Sequence, residues 1–242
     1  MKFAKTMKIR VHLTEEALGM SPGDEEIFDT YIASNAPDAP TKAEEIEAFG
    51  VADVADKRRT IFPTLEDGTP FFWNYQLKGF FKDSAKMLLQ MTERREVEVV
   101  AKDGTKKTKK QSVAKNEAGK LMNAYNYKTR LDGLLFVLPR KLPIRFNGGL
   151  GDCQRPLRTD GMIPRTALAS SDTVPAESVM EFRVGLMDEA YEAFVRECLD
   201  YGEVRGLGQW RNSGKGTFLW EELDEDGNVI GGNYEALKEN YF

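Results

Sequence analysis

Gly206-Leu207-Gly208-Gln209-Trp210-Arg211-Asn212-Ser213-Gly214-Lys215-Gly216 separates a helical pattern from an apolar strand. It holds four glycines, two cations and a tryptophan in eleven residues. Glycine permits positive φ and close backbone approach. A loop built of such positions can turn N–H groups toward phosphate oxygens. Arg211 and Lys215 would then neutralise the phosphate, and Trp210 would stack on a base. A second reading is a tight helix-to-strand connection that needs glycine for geometry alone. Both remain open at this level.

Working outward, residues 178–187 precede the loop as a strand, with Val179, Phe182, Val184 and Leu186 near alternation. Residues 188–201 follow as a helix, with Tyr191, Phe194, Val195, Cys198 and Leu199 on one face. That spacing makes Cys198 a small buried hydrophobe. After the loop, residues 217–223 read as a final strand and residues 224–242 as an acidic tail. Far upstream, Met7 to Leu13 alternates Lys8, Arg10 and His12 with Ile9, Val11 and Leu13, which is a strand with one apolar face.

Between these ends lies a second helix. Leu77, Phe80, Phe81, Ala85 and Leu88 recur at helical spacing, beside a ridge of Lys78, Lys82 and Lys86. Residues 94–120 read as a basic hairpin or arm: Asp103-Gly104 supplies the turn and Lys106, Lys107, Lys109 and Lys110 the charge. The run Leu134 to Leu138 suits a central strand, and Pro139 and Pro143 bend it or bring it to an edge. Residues 148–153 read as a loop. Residues 14–56 are acidic and read as a helical insertion, with Thr41 and Glu44 in a capping-box relation. Strands and helices mix without βαβ regularity, which gives an α+β class. Two single-striped helices suit a ferredoxin-like, RRM-like antiparallel sheet with helices on one face.

The chain has 242 residues, is 41% hydrophobic and has a net charge of −5. It is long enough for a sizeable core. The net charge conceals a strong asymmetry: residues 14–56 sum to about −11 and residues 57–158 to about +12. A basic block of that size attracts polyanions. The two cysteines, Cys153 and Cys198, form no CxxC pattern and imply no disulfide framework. No signal-peptide pattern and no membrane-length apolar run is read, so the expected compartment is the cytoplasm. No motif for a cofactor or a resident metal stands out.

Two stretches resemble the RAMP superfamily, the ferredoxin-like backbone subunits of CRISPR effector complexes. Gly68-Thr69-Pro70-Phe71-Phe72 followed by Leu77-Lys78-Gly79 matches the family's route into its first helix. Gly206 and Gly208, with Gly214-Lys215-Gly216, match its glycine-rich loop before a last strand. Trp73-Asn74-Tyr75-Gln76 stands where the family has a Pro-Gly-Ser-Ser turn. The resemblance covers residues 57–89 and 178–223, and implies a single domain over residues 1–223 with the hairpin as a thumb. It also extends to phage-borne proteins, which would place this one in a bacterial host cell.

What the resemblance implies is binding of single-stranded RNA or DNA, self-assembly along the strand, or a place in a CRISPR-type complex. The reading of individual residues reaches the same positions: Lys78, Lys82, Arg211 and Lys215 for phosphates, and Trp73, Tyr75 and Trp210 for bases. Two other functions compete. One is a metal-dependent endoribonuclease using Asp53, Asp56 or Asp152. The other is a phage-encoded inhibitor that binds a host defence complex through protein contacts. His12, the one histidine, is expected to pack or to sit at the surface.

Overall fold

A computed structural model of the chain describes residues 2–22, 59–100, 106–114, 116–159 and 165–242. Its frame is an antiparallel sheet in the order β13-β1-β12-β8, where β1 is Lys5–Leu13, β8 Leu135–Leu138, β12 Val179–Leu186 and β13 Phe218–Leu223. Helix α1, Asn74–Leu88, lies between β1 and β8 in the chain, and α4, Glu192–Arg205, between β12 and β13. The fourth, first, third and second strands of a βαββαβ unit thus stand side by side, which is the ferredoxin-like arrangement expected.

Alternation builds this sheet. Met7, Ile9, Val11 and Leu13 of β1 and Met180, Phe182 and Val184 of β12 are buried on one face. Leu77, Phe80, Phe81, Ala85 and Leu88 of α1 and Phe194, Val195, Cys198 and Leu199 of α4 join them in one core. Each such side chain contributes roughly 1.5–3 kcal/mol on burial. Burial pushes the Cys198 thiol well up, which makes it a core residue rather than a nucleophile. Helix α1 begins earlier than its apolar stripe, at Asn74, because the Gln76 side chain accepts from the Trp73 N–H at 2.9 Å.

Several expectations change. Leu135–Leu138 is not a central strand: it flanks β12, and Phe136 and Leu138 are exposed. Past Pro139 the chain resumes as β9, Lys141–Arg145, which pairs β12 on one side and β5, Phe71–Trp73, on the other. The loop expected at residues 148–153 holds for 148–150, but 151–153 open β10, Gly151–Thr159, which forms a long antiparallel pair with β11, Arg165–Val174. Short strands β2 (Ala17–Leu18), β3 (Ser21–Pro22) and β4 (Arg59–Ile61) complete that second sheet. Residues 17–18 and 21–22 are therefore extended, not helical. Most of the acidic insertion, from residue 23 to 58, lies outside the described residues.

The expected hairpin forms from β6, Thr92–Val100, and β7, Lys106–Ala114, which among the described residues pair only with each other. Two short helices follow, α2 (Glu117–Leu121) and α3 (Tyr127–Leu134). Residues 224–242 add β14, Val229–Gly232, to the main sheet beside β13, and a short helix α5, Tyr234–Leu237. Tyr234 stacks on His12 with ring centroids 3.8 Å apart. His12 is also held by Glu221 at 3.0 Å, so it packs, as expected of a strand histidine. No helix among the described residues is long and apolar enough to cross a membrane.

Candidate nucleic-acid interface

The glycine loop closes on itself. The Leu207 N–H donates to Gly216 O at 2.7 Å, and the Gly216 N–H donates to Glu16 O at 2.8 Å. Gly206, Gly208, Gly214 and Gly216 all have φ between 70° and 80°. A Cβ at Gly216 would lie 2.0 Å from Leu207 O, and one at Gly208 would lie 2.8 Å from Leu18 O. The loop is therefore pressed against the chain segment that follows β1. Its geometry alone requires these glycines, and the N–H groups of Leu207 and Gly216 turn inward.

The predicted phosphate ligands have carboxylate partners. Arg211 and Arg205 both donate to Asp83 Oδ2, each at 2.8 Å. Burial raises the Asp83 pKa, but the two guanidinium groups outweigh it and hold the carboxyl below its ordinary value. Lys215 lies 2.9 Å from Glu16 and 3.3 Å from Glu15, and the Glu16 contact raises its pKa. Lys82 lies 2.6 Å from Asp132 Oδ1, while Lys78 donates to Asp132 O at 2.9 Å. Burial lowers the Lys78 pKa, with Asp132 opposing. The ridge on α1 thus docks α3.

The aromatic residues separate sharply. Trp73 is fully buried against Phe71 and Tyr75, under Arg140 and Lys141 at 5.2 and 5.8 Å from its ring centroid. It has no face for a base, which corrects the reading of Trp73 as a stacking residue. Strand β5 places it in the core, where the neighbouring Phe71 and Phe72 also lie. Tyr75 is half-buried. Trp210 is 40% exposed, in the left-handed conformation at φ 56°, ψ 31°. A residue other than glycine there costs roughly 1–2 kcal/mol.

Behind Trp210 stands Arg155, whose guanidinium carbon is 5.6 Å from the ring centroid. Arg155 is itself buried and donates to Ser171 Oγ at 2.9 Å and to Gln209 Oε1 at 2.6 Å. The sequence contains Arg155, but nothing local links it to a loop more than fifty residues away; the fold does so by bringing it to Gln209 and Trp210. Lys106, Lys107, Lys109 and Lys110 stand on β7, opposite Val100, Val99, Val97 and Glu96.

Among the carboxylates weighed for catalysis, Asp152 accepts from Ser170 Oγ at 2.6 Å and pairs with Arg59 at 3.4 Å. The Ser170 bond leads in holding its pKa down. Asp53 and Asp56 lie outside the described residues. Among the described residues, no three or more His, Cys, Asp or Glu side chains gather to hold a metal ion.

The fold and this loop define an α+β chain of ferredoxin-like strand order with a glycine-closed corner carrying one exposed tryptophan. No protein-family model matches the chain, and no curated protein does. Among solved structures it is similar to a chain in a Type III-B Cmr-beta complex bound to cognate target RNA, at 11% identity and a TM-score of 0.40. That similarity covers 88% of this chain and 58% of the other, so this chain spans under two thirds of the other's length.

Proposed function

We propose that the protein binds single-stranded nucleic acid, RNA foremost, through base stacking and a grip on phosphates that does not read sequence. The observation that supports this best is Trp210. It is held outward in a costly backbone conformation, and a buried, doubly hydrogen-bonded arginine fixes the ring from behind. Costly conformations at exposed positions mark sites where the surrounding structure fixes a side chain for use. A preformed aromatic face suits any base, because every base has a π-face. The basic hairpin supplies the sequence-independent charge.

The test uses the tryptophans themselves. Trp73 and Trp220 are 0% and 2% exposed, so quenching of intrinsic fluorescence by added oligonucleotide reports Trp210. Single-stranded RNA is expected to quench it, with weaker binding as salt rises. Trp210→Ala is expected to weaken binding by about 1–3 kcal/mol, roughly fivefold to 150-fold, and to leave the melting temperature close to wild type. No quenching and no gel shift at low salt would reject the reading.

A further inference from the structure

The two innermost strands of the main sheet carry an unusual rung. Lys8 of β1 stands directly opposite Arg183 of β12. Both lie on the face turned away from the helices, since their neighbours Met7, Ile9, Phe182 and Val184 are buried on the other face. Like charges directly opposite each other destabilise a sheet. The next rung on that face shows the ordinary solution. Arg10 stands opposite Glu181 and Glu221 and bonds them at 2.9 and 3.3 Å. Glu181 is thereby occupied, and neither Lys8 nor Arg183 makes an ion pair among the described residues.

The surroundings offer little relief. Lys8 faces Leu223 across its other edge, and Arg183 faces Leu138. Lys8 and Arg183, with Leu138, Pro139, Phe182 and Glu181, line a groove of about 470 Å³. An adjoining groove of about 660 Å³ shares Glu181 and carries Arg145, an exposed cation that also makes no ion pair among the described residues. Arg145 stands opposite Val179, four residues along β12 from Arg183, or roughly 13 Å at strand rise. Unpaired positive charge therefore runs along this face.

We propose that the Lys8–Arg183 rung seats a phosphate of the single-stranded nucleic acid, so that the open face of the sheet is a second contact surface. The proposal rests on the nucleic-acid reading above. The one carboxylate lining this groove, Glu181, is already bonded to Arg10, so the two cations of the rung are unfavourable together when the seat is empty and favourable once an anionic oxygen bridges them. The chosen partner is a phosphodiester because unpaired cations recur along the face, at the rung and again at Arg145.

The experiment compares the full-length protein with Lys8→Glu and with the double variant Lys8→Gln/Arg183→Gln, binding single-stranded oligouridylate across a salt series. In the absence of RNA, Lys8→Glu turns a repulsive rung into an attractive one and is expected to raise the melting temperature by about 1–4 °C. The same variant is expected to bind RNA at least tenfold more weakly. The double variant removes one phosphate contact and is expected to lower the slope of log affinity against log salt by roughly 0.7. Greater stability with weaker binding is not what a merely structural lysine would give. Unchanged affinity and slope in both variants, with Trp210 quenching intact, would overturn the phosphate seat and leave the nucleic-acid reading standing. A wild-type protein that ignores RNA at low salt would overturn both.

Discussion

At Gly216 and Gly214 the same backbone sign has two different causes. Both have φ near 70–80°. A Cβ at Gly216 would meet Leu207 O at 2.0 Å, whereas one at Gly214 meets nothing within 4 Å. Gly214→Ala should therefore cost only the conformational penalty, about 1–2 kcal/mol. Gly216→Ala adds a clash with backbone that has no rotamer escape, and should cost about 2–4 kcal/mol in urea unfolding. Equal losses would mean that the loop does not close on Leu207. The sequence makes the need for glycine plain. It does not show which backbone is approached, because Glu16 and Leu18 lie nearly two hundred residues away. Separation along the chain also hides the carboxylate partners of Lys215 and Arg211, which lie 200 and 128 residues away, and Asp132, the partner of Lys78 and Lys82, lies on a different helix. Trp73 illustrates a different limit. An aromatic beside a helix start reads alike whether it points inward or outward, and only the pairing of β5 with β9 settles that it is buried.

Between elements, Asp83 ties α1 to both the end of α4 and the glycine loop, because Arg205 and Arg211 share one of its oxygens. Asp83→Asn removes the charge and should destabilise the fold by about 1–3 kcal/mol. The sign of its pH dependence follows from the lowered pKa. A carboxylate held below its ordinary value of 3.8 contributes stability above that range and loses it as pH falls through the folded value. The stability gap between wild type and Asp83→Asn should thus be full at neutral pH and close below about pH 4, as followed by denaturant midpoints across pH. A gap unchanged down to the acid limit would place the interaction elsewhere. Elements with one uninterrupted period, β1, β12, α1 and α4, were legible because burial imposes the period. The β10–β11 pair was not. β10 begins in a glycine-rich stretch and contains Pro156, both of which read as loop, and the neighbouring β3 and β4 are too short to show a period.

For the molecule as a whole, charge summed along the chain is a poor guide to charge left exposed. Lys78 and Lys82 of the basic block contact Asp132 of the same block, while Lys215 of the acidic C-terminal part takes Glu15 and Glu16. The cations that the proposed binding mode uses are those of the open face and of the hairpin, whose strands pair only with each other among the described residues. Lys106, Lys107, Lys109 and Lys110 lie on β7 within five residues, outside both larger sheets. Because β6 and β7 join no other strand among the described residues, replacing all four lysines by glutamine should move the melting temperature by no more than about 2 °C. Binding should respond differently. Each phosphate contact releases about 0.7 counterion from a single strand, so loss of four contacts should reduce the salt slope by up to about 2.8. Quenching of Trp210 at saturating RNA should persist, since stacking does not depend on the hairpin. A slope unchanged by the four substitutions would show that the hairpin does not touch the backbone of the bound strand. The grip would then belong to the sheet face and the Trp210 corner alone. A slope reduced by the full amount would make the hairpin the larger electrostatic contributor, with the Lys8–Arg183 rung the smaller one.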